Sequence, residues 1–215
     1  MLHAVVFDIG GVLELTPSTG YRERWEEHLG LMPGELDERM YEVWRGGTLG
    51  TLTVEQVNEA FERELGMSRA DVERFMADFW DDYLGSPNSE LIDYFRELRG
   101  RARTGILSNS FVGARERERE RYGFEDITDV VVYSHESGTA KPDPAIYRLV
   151  CERLGVEPQD AVFVDDHERA VDGARAIGMN AVLFRDNAQV ISELESLLAH
   201  PDSIDARSIR ADRLP

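Results

Sequence analysis

Residues 4–11 read AVVFDIGG: four apolar residues from Ala4 to Phe7, then an aspartate, an isoleucine and two glycines. An apolar run without polar alternation suits a strand covered on both faces, and the glycine pair suits a tight loop after it. A strand is expected over Ala4–Ile9. Four comparable runs follow much later, at Thr104–Leu107, Asp129–Tyr133, Ala161–Val164 and Ala181–Phe184, with helical periodicity between them. Strands that alternate with helices pair in parallel through right-handed crossovers. The expected fold class is therefore α/β, a Rossmann-like doubly wound parallel sheet with helices on both faces. Chemistry in such a sheet collects at the carboxyl ends of the strands.

Between the first strand and the second, the pattern is helical. Leu36, Met40, Val43 and Trp44 share one spacing, Val57, Phe61 and Leu65 another, and Val72, Phe75, Phe79 and Trp80 a third. Residues 16–84 are read as an inserted helical cap placed above the strand ends. Residues 1–15 and 85–200 then form the core, and the aromatic stripes of the cap are expected to be its own interior. Arg45, in the glycine-rich bend WRGGTLG, is a candidate to reach a substrate, with a solvated arginine as the plainer expectation. The run RERERER at Arg115–Arg121 sets opposite charges three residues apart throughout and predicts a solvated helix. A helix is expected near Asn187–Ala199, then a loosely held polar tail over Pro201–Pro215.

The 215 residues carry 42% hydrophobic side chains, enough for a substantial core, and a formal net charge of -18. That balance argues against a nucleic-acid partner, which draws on clustered Lys and Arg. It also repels anionic substrates, so a site for phosphate needs a metal and local cations. No stretch approaches about 18 continuous apolar residues and no basic leader precedes an apolar run, so a cytoplasmic protein without membrane partners is expected. The single cysteine, Cys151, lies on the apolar face of a helical pattern and is read as packing. Of the 24 basic residues only Lys141 is a lysine, a candidate for a position where a compact ammonium is needed, with chance survival in an arginine-skewed sequence as the alternative.

Asp8 ends its strand beside exposed loop N–H groups, a geometry suited to a nucleophile facing phosphate; a turn-capping carboxylate is the alternative. Ser108 and Asn109 end the second strand in GILSN, where a hydroxyl and neighbouring amides suit a phosphoryl oxygen, although Ser-Asn also suits an ordinary turn. Lys141 opens KPDP: Pro142 holds it extended, while Asp143 is placed to cap a helix that begins at Pro144. Asp165 and Asp166 end VFVDD, and adjacent carboxylates repel unless a cation or hydrogen-bond donors hold them.

Taken in order, FDIGGVL, ILSN, KPDPAIY and VFVDDHERAVDGARAIGM resemble the four motifs of the haloacid-dehalogenase superfamily. The resemblance covers most of Met1–Arg185 and is nearest to the branch containing bacterial α-D-glucose-1-phosphate phosphatase and the amino-terminal domain of soluble epoxide hydrolase. It implies a magnesium-dependent hydrolase of a small phosphate ester in which Asp8 forms an aspartyl-phosphate. Ser108, Asn109 and Lys141 would bind the phosphoryl group, with Lys141 stabilising charge. Mg2+ would be held by Asp8, the Gly10 carbonyl and the acidic pair, with Asp166 as direct ligand and Asp165 supporting water or Lys141.

One position departs from the pattern. Phosphatases of the superfamily mostly carry a second aspartate two residues after the nucleophile, as acid to the leaving group and base to water; here it is Gly10. General acid–base catalysis is worth about 10²- to 10⁴-fold, so its absence weakens turnover without necessarily removing it. Three readings follow: a phosphatase whose leaving group needs little protonation or that recruits another acid, a carbon–halogen hydrolase whose halide leaves without a proton, and a phosphate-binding protein with poor turnover. Glu14, six residues after Asp8, is the nearby candidate acid, with a surface loop carboxylate as the plainer expectation.

Overall fold

The structure, a computed structural model, describes residues 2–199; the tail expected over Pro201–Pro215 lies outside them. In chain order the strands are β1 (Ala4–Phe7), β2 (Glu14–Leu15), β3 (Ser86–Pro87), β4 (Arg103–Ser108), β5 (Val130–Tyr133), β6 (Ala161–Asp165) and β7 (Asn180–Leu183). The helices are α1 (Tyr21–Leu29), α2 (Glu35–Arg39), α3 (Tyr41–Thr48), α4 (Val54–Leu65), α5 (Arg69–Leu84), α6 (Ser89–Leu98), α7 (Ala114–Tyr122), α8 (Phe124–Ile127), α9 (Ser134–Ser137), α10 (Pro144–Leu154), α11 (Glu168–Ala176) and α12 (Asn187–Ala199).

Five strands pair in parallel in the order β5-β4-β1-β6-β7. Every residue of β1 is fully buried, and alternate side chains serve opposite faces. Val5 and Phe7 join a core with α6 and α12, including Phe95 and Leu194, whereas Ala4 and Val6 join Tyr147, Val150 and Ala174 of α10 and α11. A large apolar side chain so buried stabilises the fold by roughly 1.5–3 kcal/mol. The strand order reverses direction at β1, which opens a crevice beyond its carboxyl end, between β4 and β6.

The first strand stops at Phe7, two residues short of the expected end. The Ile9 carbonyl turns into the loop, where it accepts the N–H groups of Val12 and Glu14 instead of a ladder partner. A further pairing was not legible: Glu14–Leu15 and Ser86–Pro87 form a two-residue antiparallel ribbon where the chain enters and leaves the helical insertion. Helices α1–α5 pack around Trp25, Leu36, Phe61, Phe75 and Phe79, so the aromatic stripes are an interior. Helix α4 starts with a capping box between Thr53 and Gln56, and α5 with the Ser68 hydroxyl accepting from the Asp71 N–H.

Helix α7 corrects the expectation for the charge run. Most of its charges are exposed, but Glu118, one turn after the buried Ala114, is fully buried and accepts a hydrogen bond from the Tyr133 hydroxyl. Cys151 is buried, as its apolar neighbours suggested. Among the described residues no helix is long and apolar enough to cross a membrane.

Candidate active site

The carboxyl ends of β1, β4 and β6 open into a cavity of about 560 Å³. Asp8, Gly10, Ser108, Asn109, Lys141, Asp165 and Asp166 all line it, from segments that lie far apart in the chain. Asp8 sits one residue past β1, fixed by its N–H bond to the Val164 carbonyl at 2.9 Å. Lys141 reaches it from the connector before α10, whose first turn is capped as expected by the Asp143 side chain on the Ala145 N–H.

The Lys141 Nζ lies 2.7 Å from Asp8 Oδ1 and 2.6 Å from Asp165 Oδ2, with the lysine side chain only 4% exposed. Burial alone would lower the lysine's pKa, but Asp8 and Asp165 outweigh it and hold the ammonium above its ordinary value. Burial pushes the Asp8 carboxyl up to about 7, against the lowering by Lys141 and with a further rise from Asp165.

The acidic pair divides its work. Both oxygens of Asp165 are engaged, Oδ2 by Lys141 and Oδ1 by the His167 N–H at 2.8 Å. Asp166 meets the His167 ring at 2.8 Å and packs its other oxygen against Gly11. Ligand atoms of Asp165, Asp166 and His167 lie within 4.8 Å of one another. Asp165 is thus committed to Lys141, whereas Asp166 lines the cavity beside His167.

Asn109 lines the cavity while its side chain is engaged by Lys141. Its side-chain oxygen accepts the Lys141 N–H at 2.7 Å and its amide nitrogen donates to the Lys141 carbonyl at 3.0 Å, so the side chain holds the lysine backbone. Ser108 is buried at the end of β4 and lines the cavity.

Glu14 is not a surface carboxylate. It is 1% exposed, lines the cavity, and leaves Oε1 without a hydrogen-bond partner among the described residues. Burial, then the nearby Glu118 and Asp8, push its pKa up to about 10, so it carries a proton at neutral pH. Arg45 lies outside the cavity lining, with its side chain 60% exposed beside Glu42.

The sequence reading missed the opposite wall. Asp82 and Tyr83, from the end of α5, line the cavity with Thr16, Ser18 and, at the rim, His167 and Arg169. Asp82 is held by the Thr19 N–H and hydroxyl, both at 2.7 Å. The sequence signal for these residues was FWDDYL at 79–84, where two acids interrupt an aromatic stripe.

Residues 2–178 match the model of a hydrolase family described as haloacid dehalogenase-like hydrolase. The phosphatase MT3486 of Mycobacterium tuberculosis is 33% identical over 214 residues, covering 91% of this chain and 95% of that protein. The fructose-1-phosphate phosphatase YqaB of Escherichia coli is 25% identical over 183 residues, 84% of this chain and 95% of its own length. A HAD family enzyme of Bacteroides thetaiotaomicron, crystallised with magnesium and inorganic phosphate, superposes with a TM-score of 0.74 at 20% identity, covering 88% of this chain and 99% of that one, a likeness of fold.

Proposed function

Because the chain belongs to the haloacid dehalogenase-like hydrolase family, we propose that it is a magnesium-dependent phosphomonoesterase for a small phosphate ester, with sugar phosphates the first class to test. The observation that carries this reading is the buried Lys141 between Asp8 and Asp165, with Asp166 open to the same cavity. The names of the two relatives, both phosphatases, support it.

The donor set fits Mg2+, a hard cation that takes carboxylate and carbonyl oxygens. Asp8, the Gly10 carbonyl and Asp166 would hold it. Bound there, the ion would neutralise negative charge between nucleophile and phosphate. The remaining work belongs to the chain itself. Lys141 offsets the repulsion between Asp8 and a phosphoryl oxygen, while the Ser108 hydroxyl and the Asn109 backbone N–H bind the phosphoryl group. Asp8 attacks phosphorus as the bond to the leaving oxygen breaks.

Gly10 has no side chain with which to protonate that oxygen, and the buried Glu14, which lines the same cavity, would do so. The Glu14 carboxyl gives its proton to the departing alkoxide. It then recovers one from the water that attacks the aspartyl-phosphate and releases Asp8, which closes the cycle.

The test is phosphate release from sugar phosphates and p-nitrophenyl phosphate, with and without magnesium, beside Asp8→Asn. Magnesium-dependent release that disappears in the variant supports the reading. Release unchanged by Asp8→Asn removes the nucleophile, and no release by the wild type sinks the phosphatase in favour of halide hydrolysis or phosphate binding alone.

A further inference from the structure

Phe111 lies three residues beyond Ser108, on the loop that leaves β4, yet its ring belongs to the interior of the helical insertion. Ring centroids stand 5.6 Å from Trp44 and 5.2 Å from Phe79, and the side chain is almost wholly buried. Gly47 of α3 makes room for it: a Cβ there would stand 2.1 Å from the Phe111 ring. The Val112 N–H donates to the Gly47 carbonyl at 3.0 Å, which fixes the loop backbone to the same helix.

The connection continues toward the nucleophile one residue at a time. The Ser110 N–H donates to the Ser134 hydroxyl at 2.9 Å, and that hydroxyl donates to the Thr48 carbonyl of the insertion at 2.8 Å. Asn109 then grips Lys141 through both of its side-chain hydrogen bonds, and Lys141 touches Asp8. Adjacent Cα atoms are about 3.8 Å apart, so a shift of the Phe111 backbone away from α3 pulls on Ser110 and Asn109.

We propose that Phe111 is a positioning residue that couples the seating of the helical insertion to the placement of Asn109 and, through it, Lys141. The phosphate-binding loop takes its working shape only while the insertion is docked on it. Removal of the insertion from the sheet therefore disorders the lysine as well as uncovering the cavity. The catalytic consequence rests on the phosphatase reading; the structural coupling does not.

The readout that isolates the coupling is the Lys141 amide, whose hydrogen bond ends on the Asn109 side chain. Its hydrogen exchange is measured in the wild type, Phe111→Ala and Phe111→Leu, with each variant's melting temperature above that of the assay. Losing one such bond locally raises exchange about tenfold, which is expected in Phe111→Ala, with most of the protection regained in Phe111→Leu. If Phe111→Ala does not fold, Phe111→Leu carries the measurement through a smaller rise.

Turnover supplies the second readout: kcat for p-nitrophenyl phosphate falls roughly 10- to 100-fold in Phe111→Ala, and far less when Asn109→Ala is already present, because the effect passes through that residue. A Lys141 amide as protected in the folded variants as in the wild type overturns the proposal. So do fully additive losses in the double variant. A wild type that hydrolyses no ester removes the phosphatase reading and leaves the exchange result to decide the coupling.

Discussion

A Cβ on Gly11 would stand 2.2 Å from Asp166 Oδ2, and Gly11 itself has φ +73°. The loop after Asp8 and the Asp166 side chain are therefore packed backbone to carboxylate, and Gly11 is needed both for its conformation and for that approach. Gly11→Ala should displace Asp166 and raise the magnesium concentration for half-maximal phosphate release by roughly 10- to 100-fold. A magnesium titration of the variant that overlays the wild type contradicts the assignment of Asp166 to the metal.

Lys141 is compact, buried and shared between two carboxylates, a geometry that a planar guanidinium does not reproduce. Lys141→Arg should lower kcat by about 10²- to 10³-fold although the charge is kept. Lys141→Ala leaves Asp8 and Asp165 facing each other and should cost about 3–5 kcal/mol of stability by urea unfolding at pH 7. Near-normal turnover in Lys141→Arg would show that charge alone suffices there.

Glu14→Gln keeps the shape of the side chain and removes its exchangeable carboxyl proton. Hydrolysis of an alkyl phosphate such as a sugar phosphate should fall about 10²- to 10⁴-fold. The first turnover of p-nitrophenyl phosphate should hardly change, because nitrophenolate departs without a proton. Equal losses on the two esters in the burst phase would assign Glu14 to structure rather than to proton transfer.

Glu118 makes stability depend on pH. Burial, opposed by the Tyr133 hydroxyl, pushes its carboxyl up to about 7 in the folded chain, from an ordinary 4.5. Between those values the folded state holds more protons than the unfolded one, so the stability present below pH 4.5 is lost as pH rises toward 7. The loss is at most about 1.4 kcal/mol per pH unit for this group. Glu118→Gln should flatten the decline seen by urea unfolding at pH 5, 6 and 7; an identical slope in both proteins refutes the assignment.

What was legible in the sequence was what packing enforces locally. Apolar runs at Ala4–Phe7 and Ala161–Val164 have one solution when both faces are covered, and the ends of such strands bring Asp8 and Asp165 together through sheet topology. Lys141 could be aimed because Pro142 and Asp143 constrain its surroundings. Properties that depend on a distant partner were hidden. Glu14 reads as a loop acid because the ribbon and α7 that bury it lie far away in sequence. Glu118 disappears in a repeating charge pattern, where only its spacing from Ala114 marks the inward face. Nothing beside Asn109 in the chain shows that its side chain holds the Lys141 backbone, and Phe111 gives no sign that it packs with helices preceding it by dozens of residues.

The ribbon of Glu14–Leu15 with Ser86–Pro87 brings the two ends of the insertion side by side. A chain built this way can exchange the material between those ends as a module, since the parallel sheet sees the same two anchor points whatever hangs from them. The exchange is constrained at one further place. A replacement that met the ribbon but offered no pocket for the ring of Phe111 would leave an orphaned aromatic three residues from Ser108, so compatible modules have to be matched to that residue as well as to the stem.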